Sequence, residues 1–270
     1  MPGDEDLLRR IDAYLDAAPR TGARTESIGP FTLFVNQGHG WRYYARPTPG
    51  GNGLTVDSVR SVRRRQRELS QPEAFEWIDE LTPQVRGATA DDGMRVVDHP
   101  LMVLAGGIVP VPATEGVDVA IVDADDDLAA IGAVAEVGFA APGTATGAAG
   151  AAEAAAAARS QSPDTIAFQR GRMLAGLTVA AAARVSGVVA AVGWHQPFGG
   201  ASEVVGVATL PAYRRRGLGT AVTAALVADA LERGVEIVFL SADDDDVARV
   251  YGKVGFRRVG TACAASLPAS

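Results

Sequence analysis

A short segment in the C-terminal half combines residue types that could bind a phosphate-bearing ligand. An apolar stretch over residues 203–210 leads to three consecutive arginines and to Gly217 and Gly219, where a predicted helix begins. Glycine lets the backbone approach an anion without a Cβ atom in the way, and the first N–H groups of a helix point at such an anion. Arginine adds charge-assisted hydrogen bonds to phosphate oxygens. These residues predict a diphosphate-binding turn.

Two other interpretations of this turn have to be weighed. A bare Gly-x-Gly often does no more than start a helix, with solvated arginines before it. A dinucleotide-binding unit is the second alternative, and it needs a third small residue and an acidic residue on a following strand. Val222 stands where that third small residue would be, so we expect no dinucleotide site.

Two blocks of the sequence resemble the signatures of the GNAT N-acetyltransferase superfamily. Residues 214–219 are similar to the family's Arg/Gln-x-x-Gly-x-Gly/Ala, and residues 244–256 are similar to its Asn-x-x-Ala-x-x-Leu-Tyr-x-x-x-Gly-Phe. The resemblance covers residues 117–265. It implies an α/β protein with a mixed sheet, a GNAT acyl-CoA N-acyltransferase fold in the C-terminal domain, and acetyl-CoA as the co-substrate.

In that family acetyl-CoA lies between two parted parallel strands, which would here be residues 203–210 and 236–241. The implied cofactor-binding residues lie on the first strand, on the turn and before the last helix: Val207, Ala208, Thr209, Arg214, Arg215, Arg216, Gly217, Leu218, Gly219, Thr220 and Asp244. Backbone groups of Val207 and Thr209 would pair with the pantetheine arm and the acetyl group. Asp244 replaces the family's usual Asn, and because an ionised carboxylate only accepts hydrogen bonds, donation to the cofactor is in doubt there.

Acetyl transfer to an amine needs a base, a contact for the oxyanion and a proton for the departing thiolate. The offset of Glu203 from Gly217 resembles that of the glutamate base in the histone-acetyltransferase branch of the family; a solvated strand-end glutamate, with water as the base, is the alternative. Tyr251 stands at the family's tyrosine position, where its hydroxyl could protonate the CoA sulfur, although it could also serve only in packing. Glu203 and Tyr251 are therefore the catalytic candidates, with the Val207 N–H as the oxyanion contact.

Three further side chains could carry chemistry. Trp194 and His195 end a predicted strand and could face the acceptor pocket, but a lone histidine is more often structural. Cys263 on the last strand is expected to be a small buried hydrophobe rather than an acyl carrier.

The elements that must position these residues follow from apolar periodicity and from glycine and proline signals. In the C-terminal part they predict strands at residues 117–122, 177–184, 188–194, 203–210, 236–241 and 257–264, and helices at residues 125–139, 218–233 and 244–254. Residues 140–162, rich in alanine and glycine, indicate a mobile loop and a short alanine helix, where the family shapes acceptor specificity.

The N-terminal part carries a weaker version of the same pattern. We predict a helix at residues 56–69, a strand at residues 74–78 and a helix capped by Thr82, and the Thr82–Gly93 interval equals the Asp244–Gly255 interval, which suggests a diverged duplication. Thr89 stands at the offset of Tyr251. The sequence therefore predicts a smaller, degenerate acetyltransferase-like α/β domain without catalysis over residues 1–112 and the catalytic domain over residues 113–270.

The composition and net charge limit the kinds of binding partner that we expect. The net charge of −7 disfavours nucleic acid and favours cationic amines, and the chain has no Gly-Lys-Ser/Thr phosphate loop. A single cysteine and three separated histidines predict no metal site. Without a long apolar stretch or a basic leader, we expect a cytoplasmic protein with no membrane partner; a homodimer is compatible with the sequence. Four aromatics, Trp41, Tyr43, Tyr44 and Trp77, are expected in a core or an interface.

The sequence thus predicts an acetyl-CoA-dependent N-acetyltransferase that moves the acetyl group directly to a primary amine, either on a small cationic molecule or on a protein or peptide. The alternative is a non-catalytic module that binds acyl-CoA as a sensor or scaffold.

Overall fold

The computed structural model describes residues 3–37, 44–111 and 115–268, and its Cα positions form two compact units. The first unit comprises Met1–Leu101, Ser241–Asp244 and Arg258–Ser270, and the second comprises Met102–Leu240 and Asp245–Arg257. Of the four predicted core aromatics, Trp41 and Tyr43 lie outside the described residues.

The first unit is built from three helices and a mixed sheet. Its helices and its strands before the second unit are α1 (Asp4–Ala17), β1 (Ala23–Ile28), β2 (Phe31–Asn36), β3 (Ala45–Pro47), α2 (Val56–Glu68), β4 (Ala74–Ile78), α3 (Gln84–Asp91) and β5 (Arg95–Leu104). The later strand β11 (Phe256–Ser266) pairs antiparallel with β4 from Ala262 to Ser266. Strands β3 and β4 are parallel, whereas β1, β2 and β3 form antiparallel pairs.

The core of the first unit is apolar and aromatic. Phe31 and Phe75 meet edge to face with ring centres 5.3 Å apart, and Trp77 is buried beside them. The indole N–H of Trp77 donates to Asp79 at 3.1 Å, which satisfies its polar atom. Trp77 is therefore a core residue, as predicted.

Two N-terminal predictions need correction. Thr82 does not cap α3: the cap is Pro83, which makes no side-chain capping bond, and the Thr82 hydroxyl donates to the Ile78 carbonyl at 3.4 Å. The structure also adds α1, β1, β2 and β3, which the sequence patterns did not indicate.

The second unit contains an ordered succession of strands with helices between them. Its elements are β6 (Val117–Val122), α4 (Leu128–Phe139), α5 (Ala151–Ser160), α6 (Pro163–Leu174), β7 (Val179–Val185), β8 (Val188–Phe198), β9 (Ala201–Thr209), α7 (Leu218–Glu232), β10 (Ile237–Ser241) and α8 (Asp245–Gly252). The strand order is β6-β7-β8-β9-β10, with β9 and β10 parallel and the other neighbours antiparallel. This mixed α/β architecture agrees with the predicted fold class.

Local chemistry explains most of these boundaries. Ser186 and Gly187 both have positive φ, 51° and 81°, and form the two-residue turn that joins β7 to β8. Helix α4 begins later than expected because Asp127 caps it, accepting from the Ala130 N–H at 3.1 Å. Helix α6 was not predicted; none of its residues is fully buried, and only the partly buried Ile166 and Met173 pack against the core.

No helix among the described residues is both long enough and apolar enough to cross a lipid bilayer.

Candidate functional site

Strands β9 and β10 pair only at their beginnings. The register joins Ala201 to Ile237, Ser202 to Val238 and Glu203 to Phe239. Strand β9 then continues to Thr209 and β10 to Ser241, and within these fully described strands no later pair is formed. The two parallel strands therefore part after Glu203, which opens a cleft along the far half of β9.

A β-bulge lies where the strands part. In the pairing of β9 with β8, Trp194 faces Val205 but Val192 faces Ala208, so the register shifts by one residue. Gly206 lies inside this shift with φ of +66°. A Cβ atom there would lie 2.8 Å from Cε3 of the Trp194 indole. The bulge bends β9 and requires glycine for two reasons, the left-handed backbone and the close indole.

Beyond the bulge, alternate backbone groups of β9 face the cleft. The Leu210 N–H donates to the Ala190 carbonyl at 2.9 Å, so the main chain of Leu210 faces β8. Because successive residues of a strand point their N–H and C=O groups to opposite sides, those of Thr209 and Val207 point away from β8. These are the two residues whose backbone was predicted to contact the cofactor arm.

The predicted phosphate turn follows β9 directly. Arg215 and Gly217 both adopt positive φ, 65° and 77°, and α7 begins at Leu218. The first hydrogen bond of this helix runs from the Ala221 N–H to the Gly217 carbonyl at 3.0 Å. The backbone N–H groups before Ala221, up to that of Thr220, therefore have no hydrogen-bond partner within the helix. Such free N–H groups at a helix N-terminus are suited to bind an anion.

Gly219 brings this helix end against β9. A Cβ atom at Gly219 would lie 3.6 Å from the Thr209 hydroxyl oxygen and 3.8 Å from Cγ1 of Val207. The turn and the cleft-facing part of β9 are therefore neighbours, and a ligand could contact both.

Arg214 behaves differently from its two neighbours. Its guanidinium donates to main-chain carbonyls of Thr209, Gly138, Ala141 and Ala145, whereas Arg215 and Arg216 are exposed. The Arg216 guanidinium lies 5.6 Å from the ring centre of Tyr213. Side-chain contacts to phosphate therefore remain a prediction for Arg215 and Arg216, while any contact from Arg214 would have to come from its main chain.

Tyr251 lies on α8, which contacts α7. Its ring meets Phe256 edge to face with centres 6.2 Å apart, and desolvation raises the pKa of its hydroxyl to about 12. The hydroxyl is therefore protonated at neutral pH, as a proton donor must be. The apolar residues at helical spacing around Tyr251 are only partly covered: Val247, Val250 and Tyr251 are half-buried, and Val254 is buried.

Glu203 occupies the last paired position of β9, where the strands separate. Its side chain is half-buried. Glu203 thus lies at the apex of the cleft, and its role as a base stays a prediction.

His195 is held inside a buried hydrogen-bond chain. Its Nδ1 lies 2.8 Å from the Ser202 hydroxyl and its Nε2 lies 2.8 Å from the Asp229 carboxylate. Burial lowers the pKa of His195, against the opposing effect of Asp229. Desolvation acts to raise the pKa of Asp229, but hydrogen bonds from Arg233 and His195 leave it lowered.

The remaining candidates lie in the first unit. Asp244 is exposed and immediately precedes α8; its role stays a prediction. Cys263 is buried as expected, and its burial raises the thiol pKa, but its sulfur also accepts a hydrogen bond from Arg86 at 3.1 Å and is therefore not in a purely apolar setting. Thr89 is also buried, and its hydroxyl donates to the Val85 carbonyl of its own helix at 2.8 Å.

The sequence analysis did not identify Gly206 as part of the site. Its signal was available, since a glycine inside an apolar strand indicates a bulge or a close approach of another group. Residues 140–150 differ from the mobile loop expected from the sequence, because several hydrogen bonds connect them to the turn before α7.

The fold is shared with known acetyltransferases. The GCN5-related N-acetyltransferase of Kribbella flavida superposes with a TM-score of 0.70 at 21% identity, covering 98% of this chain and 96% of that one. A GCN5-related N-acetyltransferase-like protein of Streptococcus suis 89/1591 gives 0.57 at 14% identity, covering 98% and 100%. A tandem GNAT protein from the clavulanic acid biosynthesis pathway gives 0.54 at 14% identity, covering 89% and 79%. These likenesses define the class as the GNAT fold.

The sequence itself supports the family. Residues 153–256 match the model of the Acetyltransferase (GNAT) family. No curated protein matches the sequence significantly.

Proposed function

We propose that this protein transfers an acetyl group from acetyl-CoA to a primary amine by direct transfer. The observation that carries the proposal is the parting of β9 and β10 after Glu203, directly beside a helix N-terminus with unused N–H groups. A cleft with a backbone edge on one side and an anion-binding turn at its end suits a long ligand that carries a diphosphate.

The residues around the cleft fit CoA in chemical type. Backbone groups of Val207 and Thr209 would hold the pantetheine arm beside Ala208, and the N–H groups from Arg215 to Thr220 would hold the diphosphate. When bound, acetyl-CoA would supply a thioester activated toward amines. The acidic net charge favours a cationic amine, on a small molecule or on a protein, over a nucleic acid.

Two side chains would move protons. The Glu203 carboxylate would accept a proton from the incoming ammonium group, directly or through water, and the Tyr251 hydroxyl would donate one to the departing sulfur. The Val207 N–H would face the developing oxyanion from the bulged strand. Burial raises the pKa of Tyr251 to about 12, so its hydroxyl carries a proton at neutral pH, and the donor assignment rests on the position of Tyr251 in the family motif.

For the N-terminal part, we propose a degenerate GNAT-like domain over residues 1–112 that does no chemistry. Thr89 stands at the offset of Tyr251, but its hydroxyl donates a hydrogen bond to a main-chain carbonyl of its own helix. The fold likeness to a protein described as a tandem GNAT supports the duplication. Catalysis would belong to residues 113–270.

Calorimetric titration with acetyl-CoA tests the cleft, with Gly219→Leu as the main variant. Gly219 has no positive φ, and its surroundings accept a Cβ atom, so the longer side chain should fill the gap toward Thr209 without straining the backbone. We expect at least a tenfold loss of affinity, about 1.4 kcal/mol. Gly87→Leu on α3 is the control: Gly87 also lies in a helix without positive φ, but a Cβ atom there would meet nothing within 4 Å.

The outcomes separate the possible functions. Equal acetyl-CoA binding by wild type and Gly219→Leu would rule out the proposed cleft. If the wild type binds acetyl-CoA but releases no free CoA with any amine in a broad panel, the sensor or scaffold alternative holds instead of the enzyme.

A further inference from the structure

The Arg214 side chain connects two parts of the second unit that are distant in sequence. Its Nε donates to Thr209 at 3.2 Å, at the end of β9. Its Nη2 donates to Gly138 at 2.8 Å and to Ala141 at 2.6 Å, and its Nη1 donates to Ala145 at 3.0 Å. All four acceptors are main-chain carbonyls. One guanidinium thus joins the cofactor turn to the end of α4 and to the segment that follows it.

That segment, residues 140–150, runs beside the turn and is here called the acceptor loop, because the family resemblance places acceptor specificity there. The Gly147 N–H donates to the Pro211 carbonyl at 3.1 Å, and the Ala212 N–H donates to the Ala149 carbonyl at 2.9 Å. A Cβ atom at Gly147 would lie 3.0 Å from the Pro211 Cβ. The glycine-rich composition therefore permits close packing against the turn.

The connection depends on the shape of a guanidinium group. Its planar fork directs N–H groups to several sides at once, which lets it reach Thr209 and Ala145 together. A lysine ammonium concentrates its donors at one point and cannot span the same carbonyls. The main-chain bonds at Pro211 and Ala212 hold the far end of the acceptor loop, whereas the Ala141 and Ala145 carbonyls within residues 141–146 accept hydrogen bonds from Arg214.

We propose that Arg214 is a positioning residue that couples occupancy of the diphosphate turn to the conformation of the acceptor loop. This inference rests on the proposed function, because it requires CoA to bind at the turn. A diphosphate bound by the N–H groups after Arg214 fixes the main chain of this residue, and its side chain then fixes residues 141–146. By reciprocity, an ordered acceptor loop favours cofactor binding.

Limited proteolysis with proteinase K measures this coupling without knowledge of the acceptor. The rate of cleavage within residues 141–146, located by mass spectrometry, is determined with and without saturating CoA, and the ratio of the two rates is the readout. A variant that only loosens the loop raises both rates and leaves the ratio unchanged. For the wild type we expect CoA to slow cleavage about 5- to 150-fold, the usual range of coupling between sites.

Arg214→Lys, with Arg214→Ala as the second variant, should bind CoA in a calorimetric titration yet show a ratio below about twofold. Arg216→Ala is the matched control: it removes a neighbouring arginine and should weaken CoA binding but keep the wild-type ratio at saturation. Pantetheine, which lacks the diphosphate, should give no protection in any variant.

Each result is decisive. If CoA does not bind the wild type, the proposed function and the coupling both fail. If CoA binds but does not slow cleavage, or if Arg214→Lys keeps the wild-type ratio, the coupling is overturned and the proposed function stands.

Discussion

Replacing Gly206 by alanine should damage both the stability of the second unit and its chemistry. Gly206 has φ of +66°, and an added Cβ atom would lie 2.8 Å and 3.1 Å from two carbons of the Trp194 indole. The indole cannot withdraw easily, because it packs against the apolar core of β6, α4 and β8. The bulge itself should therefore give way, and with it the direction of the Val207 N–H.

The size of the effect has two parts. The left-handed backbone costs an alanine about 1–2 kcal/mol. Forcing a methyl group into a filled space costs about 1–3 kcal/mol more. We therefore expect Gly206→Ala to lower the free energy of unfolding by about 2–5 kcal/mol.

Gly187→Ala isolates the backbone part. Gly187 also has positive φ, 81°, but no atom lies within 4 Å of its would-be Cβ. Urea unfolding followed by circular dichroism should show Gly206→Ala less stable than this control by about 1–3 kcal/mol. Adding Trp194→Leu should remove most of that difference, because it removes the colliding ring.

Equal destabilisation by the two glycine replacements would show that the indole does not buttress the bulge. Thiol-release kinetics then test the chemistry. If Gly206→Ala keeps the wild-type kcat at saturating acetyl-CoA, the Val207 N–H is not the oxyanion contact, whatever the loss of stability.

Three further predictions concern titratable groups. Tyr251→Phe should lower kcat about 10²- to 10⁴-fold and leave the acetyl-CoA Kd nearly unchanged; an unchanged kcat in thiol release would remove the proton-donor role. Glu203→Gln should flatten the acidic limb of the pH–kcat/KM profile, and a wild-type profile would dismiss Glu203 as the base. His195→Gln should make stability less dependent on pH in acid. Burial lowers the folded pKa of His195 below its unfolded value of about 6.5, so the native neutral ring contributes stability fully above that pH and loses it as the pH falls through the folded pKa. Urea unfolding from pH 8 to pH 5 measures this slope, and an equal slope in wild type and variant would contradict the assignment.

The sequence allowed a good prediction of the second unit because its strands are bounded by local signals. The Ser186-Gly187 turn and the helix stop at Gly234, with φ of +76°, both depend on a left-handed backbone that glycine supplies. The arginine–glycine turn could be placed for the same reason. These features are decided within a few residues, so no tertiary contact was needed to find them.

Other features were set by contacts between distant residues and could not be found locally. The four carbonyls around Arg214 lie up to 76 residues away in sequence, and the motif that singles out Arg214 does not reveal these side-chain contacts. The last strand was predicted, but its pairing of Cys263 with Trp77 on β4 involves a residue far earlier in the chain. The sequence predicts phosphate binding for all three arginines because of their positive charge. The structure separates them, since the Arg214 side chain binds main-chain carbonyls whereas Arg215 and Arg216 are exposed.

Solvent exposure decides which of the candidate catalytic side chains a substrate could reach. The side chains of Ser202, His195 and Asp229 are linked in that order by hydrogen bonds. The same residue types and contacts activate a serine nucleophile in hydrolases. Ser202 and His195 are nevertheless 0% exposed, so no substrate carbonyl can reach the serine oxygen. Arg233, bonded to Asp229, further holds the carboxylate in a fixed ion pair. The trio therefore joins β8, β9 and α7 at the closed end of the parted strands, where it stabilises the fold rather than contacting a substrate.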